Sequence, residues 1–286
     1  MSKTIKRLAC ATLLLGAGYL YLVAPRKNDE KAPCREPFRV SYAHRGLHGA
    51  GIPENSLPAF SAAVERGYGI ELDLQLSRDG SVMVFHDEEL LRMTGVDRKL
   101  SELDAKELRA LTLGETKEKI PYFSEVLSLV RGRVPLLIEL KGTSVSDMRL
   151  CERVEKLLRD YDGAWCVESF NPMQLRWWKK HRPDVLRGQL VTNLIKKKDG
   201  SISKKPTDYL LTTLLLNVCS RPDFIAADGR MKNPSVAVCN KLFRADRFVW
   251  TPKGNDLRKE YLGKEDYPIF EYLPEDFSKE DSNESK

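Results

Sequence analysis

Four short clusters hold the residues most able to do chemistry: His44-Arg45-Gly46, Glu71-Leu72-Asp73, His86-Asp87 and Glu139-Leu140-Lys141. Glu71, Asp73 and Glu139 give three carboxylates, the ligand type preferred by a hard divalent cation such as Ca²⁺ or Mg²⁺. Arg45 and Lys141 give two cations suited to a phosphate. His44 and His86, two of only four histidines in the chain, form a pair able to act as general base and general acid. Each cluster alone has a structural explanation: a lone strand-end His is a hydrogen-bonded residue, and a lone E-x-K is a surface ion pair. Four such clusters at the ends of apolar runs are harder to explain as structure.

The elements that must position them alternate. Apolar, β-rich runs lie at 40–44, 70–76, 82–86, 136–140, 165–170, 188–192, 224–227, 247–251 and 268–272. Several are too apolar for a half-exposed strand, as expected where both faces of a sheet are covered. Helical periodicity lies between many of them, at 56–66, 101–111, 124–130 and 147–159, with apolar residues three and four apart. Strand–helix alternation over this length implies a parallel sheet. A closed (β/α)₈ TIM barrel leads, and an open doubly wound sheet is the alternative. In a barrel, strand C-termini share one mouth, and the charged residues of E-L-D and E-L-K, two apart, face the same side of a strand. Nine candidates are one too many for eight strands. Ser77-Arg78-Asp79-Gly80 reads as a hairpin turn, which would make 70–76 and 82–86 a local antiparallel pair.

The ends of the chain read differently. Leu8 to Ala24 is an uncharged apolar run of 17 residues after Lys3, Lys6 and Arg7, the pattern of a signal anchor without a good cleavage site. It is expected to be a transmembrane helix over residues 1–24. Residues 25–38 would be a charged linker, 39–273 the catalytic domain and 274–286 a polar tail. The expected location is membrane-anchored, with the catalytic domain outside the cytoplasm. Composition is globular, at 42% hydrophobic and 31% charged, which excludes collagen-like and wholly disordered chains. A net charge of +6, well mixed, is far below the concentration of charge in nucleic-acid binders, so no nucleic-acid partner is expected. Six cysteines with no C-x-x-C pair give no zinc spacing and no disulfide scaffold.

The motifs AHRG (43–46), PENS (53–56), ELDLQLSRDG (71–80), VFHD (84–87) and IELK (138–141), followed by Glu168-Ser169-Phe170, Arg221-Pro222-Asp223-Phe224 and Val249-Trp250-Thr251, resemble the glycerophosphodiester phosphodiesterase family. The resemblance covers roughly residues 39–273. It implies a TIM barrel that hydrolyses glycerophosphodiesters to glycerol 3-phosphate and an alcohol. His44 and His86 would be the acid–base pair; Glu71, Asp73 and Glu139 would hold one Ca²⁺ or Mg²⁺; Arg45 and Lys141 would contact the phosphate. Glu54 and Asn55 match a supporting element, and Trp250 matches a pocket aromatic, although Asn55 also reads as a helix cap and Trp250 as core packing. Pro252 and Lys253 depart from the family pattern at the lip of the pocket. Relatives acting on sphingomyelin or lysophospholipids usually have Asp where this chain has Glu139, so E-x-K favours the glycerophosphodiesterase branch.

Three alternatives stay open: a lysophospholipase D acting on lysolipids, a hydrolase of glycerophosphate polymers such as teichoic acid, and a membrane-tethered binding module without catalysis. Lys196, Lys197, Lys198, Lys204 and Lys205 bear on the first two. They read either as a solvated loop or as a surface for an anionic lipid or polymer beside the catalytic mouth.

Overall fold

The computed structural model describes residues 3–27, 33–49, 51–142, 144–196, 199–264, 266–272 and 276. Nine strands form one sheet: β1 (Tyr42–Ala43), β2 (Gly69–Leu76), β3 (Val82–Val84), β4 (Leu136–Leu140), β5 (Trp165–Ser169), β6 (Arg187–Val191), β7 (Phe224–Asp228), β8 (Asp246–Lys253) and β9 (Tyr267–Glu271). Eight are parallel and close on themselves, because β1 pairs with both β2 and β9. The ninth, β3, runs antiparallel to β2 with Leu74 opposite Val84. The turn between them is the expected S-R-D-G hairpin, with Gly80 at φ +78°. The closed barrel, rather than the open sheet, is the architecture.

The helices are α1 (Lys3–Val23), α2 (Leu57–Glu65), α3 (Leu91–Thr94), α4 (Ala105–Ala110), α5 (Phe123–Val130), α6 (Arg149–Leu158), α7 (Pro172–His181), α8 (Pro206–Thr212), α9 (Asn217–Ser220), α10 (Pro234–Lys241) and α11 (Asn255–Leu262). The expected helix 101–111 starts four residues late. Ser101 lies in a 3₁₀ turn, and the helix begins after Asp104, whose N–H donates to the Glu107 carboxylate at 2.8 Å. A residue three positions into a helix that reaches back to the cap fixes the start.

Strand alternation divides the core in two. Ile70, Leu72, Leu74, Leu136, Ile138, Leu140 and Val167 face outward and pack beneath the helices. Tyr42, Leu137, Cys166, Phe224, Phe248 and Tyr267 face inward and fill the lower barrel. Two residues further along the same faces stand His44, Glu139, Glu168 and Trp250. The apolar layer is thus a floor, and the polar layer above it opens at the strand C-termini. Gly188 belongs to this floor: a Cβ there would lie 1.9 Å from the Phe224 ring, so the aromatic takes the space a side chain would need.

The expected transmembrane span is not supported. No helix among the described residues is long and apolar enough to cross a membrane. Seventeen uncharged residues rise about 26 Å, short of the roughly 30 Å of a hydrocarbon core. The end of the run is instead committed to the barrel. Val23 is fully buried, its carbonyl accepts from Asn217 Nδ2 at 2.9 Å, and the Tyr19 hydroxyl meets Ser235 at 2.9 Å. The earlier turns, with Leu8, Leu13, Leu14 and Leu15, are exposed. The expectation of a catalytic domain outside the cytoplasm rested on that span.

Within the expected linker, residues 28–32 lie outside the described residues, and the parts on either side bind the barrel floor. Phe38 joins the inner core, Arg26 pairs with Asp223 at 3.3 Å, and Arg35 pairs with Asp246 at 3.0 Å. Asp223 also accepts from the Arg187 N–H at 3.0 Å and stands 3.6 Å from its guanidinium, both groups 1% exposed. Removing one partner of a buried charge pair strands the other. Asp223→Ala is therefore expected to cost about 3–5 kcal/mol in urea unfolding; a loss below about 1 kcal/mol would mean the backbone carbonyls around Arg187 suffice. The expected tail, apart from Asp276, lies outside the described residues. All six cysteines are free thiols.

Candidate active site

The barrel mouth brings together the residues that the sequence scatters over a hundred positions. His44, Arg45, Glu71, His86, Glu139 and Lys141 all line one cavity of about 150 Å³. Asp73, 1% exposed, lies beneath. The carboxylates of Glu71, Asp73 and Glu139 converge, with ligand atoms within 4.8 Å of one another.

The first cluster turns sharply as β1 ends. Arg45 and Gly46 have φ of +55° and +78°, and a Cβ on Gly46 would meet Ala59 of α2 at 2.9 Å. Only glycine allows so close an approach. The turn aims the Arg45 N–H at Glu71 Oε2 (2.8 Å) and its guanidinium at Glu54 Oε1 (2.8 Å), while Nε stands 3.6 Å from Asp73. Asn55 is not the helix cap. Ser56 takes that role, accepting from the Ala59 N–H, and Asn55, at φ +53°, donates to Asp73 Oδ2 at 2.8 Å.

Each histidine is held by its own carboxylate. His44 Nδ1 lies 2.8 Å from Glu271 Oε1, at the end of β9, and His86 Nδ1 lies 2.6 Å from Asp87 Oδ1. Arg92 then ties Asp87 to Glu54, at 2.5 and 2.6 Å. Gln75 Nε2 donates to the carbonyls of Phe85, His86 and Asp87 and so fixes the loop carrying His86. Of these supports, Asp87, Gln75 and Glu54 lie in motifs visible in the sequence. Glu271 sits at a strand end, where inward polar residues could be sought. Arg92 carries no such signal. The lip residue Lys253 pairs with Glu271 Oε2 at 2.9 Å. Trp250 lines the cavity edge-on to Phe170, with ring centroids 6.2 Å apart.

Charge is unevenly distributed. Lys141 Nζ stands 2.9 Å from Glu139 and 3.1 Å from Asp73. Burial opposes ionisation of Asp73, but Lys141, His86 and Arg45 outweigh it and hold this carboxyl well below its usual range. Burial pushes Glu139 up to about 7 against the pull of Lys141, and pushes Glu71 well up with help from its acidic neighbours. His86 is lowered by burial and by Lys141 and Arg45. Three crowded carboxylates, two of them resisting ionisation, are costly alone and are the oxygen-rich donor set a hard divalent cation takes. The residues fit such an ion.

The sign of the pH effect follows. Above the ordinary carboxylate value and up to about 7, the metal-free folded chain binds protons at Glu139, Glu71 and Glu168 that the unfolded chain has lost. These three outweigh the opposite contribution of His86 and His48, which burial holds low, so stability falls as pH rises through that window. Carboxyls held low, such as Asp73 and Asp87, contribute stability that disappears only at more acid pH. The metal-free protein is expected to melt at higher temperature at pH 5.5 than at 7.5, and a saturating divalent cation should erase the difference. A melting point that rises over that interval without metal would contradict it.

The comparisons agree with this geometry. Residues 44–207 match the model of the glycerophosphoryl diester phosphodiesterase family. A glycerophosphodiester phosphodiesterase of Caldanaerobacter subterraneus is 34% identical over 158 residues, 52% of this chain and 65% of that one. A human lysophospholipase D is 33% identical over 173 residues, 54% of this chain and 49% of that one. The chain thus spans about two thirds of the first relative's length and half of the second's. An Oleispira antarctica phosphodiesterase, solved with its product sn-glycerol-3-phosphate, superposes with a TM-score of 0.66 over 81% of this chain and 92% of that one, at 22% identity; that likeness is one of fold. A closed parallel barrel, the ordered motifs at its mouth and the family match agree: this chain belongs to the glycerophosphoryl diester phosphodiesterase family.

Proposed function

We propose that the chain is a metal-dependent phosphodiesterase that hydrolyses glycerophosphodiesters to glycerol 3-phosphate and an alcohol. The observation that carries this reading is the pairing of His44 with Glu271 and of His86 with Asp87 in one cavity that two cations also line, with the acidic trio at and beneath its wall. A diester phosphate repels nucleophiles, so Arg45 and Lys141 would bind its oxygens and offset charge growing there. A Ca²⁺ or Mg²⁺ held by Glu71, Asp73 and Glu139 would add Lewis-acid stabilisation of the same oxygens. One histidine takes the proton of the attacking hydroxyl as the new P–O bond forms. The other gives a proton to the alkoxide as the old P–O bond breaks. The attacking hydroxyl is that of water, which gives glycerol 3-phosphate directly, or that of the adjacent glycerol carbon, which gives a cyclic phosphate that water then opens to glycerol 3-phosphate. A non-catalytic binding module would have no need of two separately oriented histidines.

One observation favours a second reading, action on lysophospholipid head groups. The loop after β6 and the start of α8 present Ile202 and Tyr209, both exposed, among Lys196, Lys204 and Lys205, a surface for an acyl chain beside an anionic head. Lys197 and Lys198 lie outside the described residues.

The test is glycerol 3-phosphate release by the full chain from glycerophosphocholine, in EDTA and after adding Ca²⁺ or Mg²⁺. Release only with metal is expected. Release undiminished in EDTA would remove the metal from the reading. Turnover of lysophosphatidylcholine alone would give preference to the second reading.

A further inference from the structure

One buried acid in the mouth has no role in this account. Glu168 of β5 faces into the barrel, 1% exposed, and lines the cavity. Its Oε2 is fully buried and makes no hydrogen bond. Glu139 stands beside it in register on β4, and on β6 its register partner is Gly188, which has no side chain to offer. It stands outside the trio whose oxygens converge within 4.8 Å. The same cavity is also lined by the apolar Phe170, Leu190, Trp250 and Ile269. An unpartnered buried carboxyl destabilises a fold, and such groups call for an explanation. A ligand that brings a hydrogen-bonding partner supplies one.

Resting on the reading as a glycerophosphodiesterase, we propose that Glu168 is a specificity residue that hydrogen-bonds a free hydroxyl of the glycerol moiety. The charged groups Arg45 and Lys141 hold the phosphate. The apolar lining then accepts the carbon chain, and Glu168, with an unpartnered oxygen, supplies a polar group able to distinguish a glycerol from a deoxygenated or acylated analogue. Sites that pair a buried polar group with a substrate hydroxyl reject the analogue lacking it far more strongly than apolar pockets reject a missing methylene, because the protein group is left unpaired.

The experiment compares the full-length chain with Glu168→Gln and Glu168→Leu. Binding of glycerol 3-phosphate and of its 1-deoxy and 2-deoxy analogues is measured calorimetrically in saturating Mg²⁺, with Mg²⁺ affinity measured separately. The parent chain is expected to prefer glycerol 3-phosphate over at least one analogue by about 100-fold or more. Glu168→Leu should reduce that preference below about tenfold while keeping a melting point at or above the parent's, and Glu168→Gln should fall between. A preference equal in all three proteins would overturn the proposal. So would a tenfold loss of Mg²⁺ affinity in Glu168→Gln, which would make Glu168 a metal ligand instead. Because binding is the readout, failure of turnover in the parent chain would sink the proposed function separately.

Discussion

Replacing either His44 or His86 by alanine is expected to lower kcat on glycerophosphocholine by about 10²–10⁴-fold, with the melting point close to that of the parent chain. The magnitude is that of losing a positioned proton donor or acceptor. The folding claim comes from the surroundings. Neither ring belongs to the apolar core clusters, and both line the cavity. With Nδ1 engaged by Glu271 or Asp87, each ring keeps Nε2 for the substrate, which is how a carboxylate selects tautomer and orientation. Glu271→Gln and Asp87→Asn reach the reaction through the rings they hold, although they also weaken the pairs with Lys253 and Arg92, and should cost less than loss of a ring. Turnover within tenfold of the parent in either alanine variant, with the protein folded, would remove that histidine from the mechanism.

Lys141→Met is expected to produce the second large effect, and it has two parts. Loss of a cation from a water-poor site that stabilises phosphoryl charge lowers kcat/KM by about 10²–10³-fold. In EDTA the variant should also lose about 3–5 kcal/mol, because Asp73 and Glu139 keep their burial and lose the ammonium between them. A divalent cation can replace that positive charge but not the contact with substrate. Ca²⁺ or Mg²⁺ should therefore recover most of the stability and little of the activity. Urea unfolding in EDTA and in excess cation separates the two. Equal stability of variant and parent in EDTA would show that Lys141 does not hold the acidic cluster together.

Much of this was legible in the sequence because strand alternation is a strict rule. Glu71 and Asp73, or Glu139 and Lys141, must share a face, and in a closed barrel that face is the mouth. The S-R-D-G turn likewise accounted for the ninth strand. What stayed hidden depends on closure. Glu271 is 227 residues from His44, and only the pairing of the last strand with the first makes them neighbours. Arg92 sits on a single helical turn with no pattern around it. Glu168 was visible in a motif, but its missing hydrogen-bond partner is a property of the packed interior. The apolar leader misled for a related reason. Burial against protein and burial in lipid select the same residue types, and what distinguishes them here are Asn217, Ser235 and Cys239, some two hundred positions away.

The fastening of that leader is made largely through its main chain. The carbonyls of Tyr21, Val23 and Ala24 accept from Arg221, Asn217 and Cys239, and Val23 closes an apolar patch formed by Val191, Leu214, Ile225 and Val236. Backbone carbonyls are the same in every residue, so this stretch tolerates substitution better than deletion. Shortening the chain to begin near Arg35, an obvious route to a more soluble protein, would uncork the outer wall of the barrel. Asn217 would lose its backbone acceptor, and a patch of aliphatic surface would face water. The residues from Tyr19 to Ala24 thus serve as a staple of the barrel, and a trimmed version should keep them.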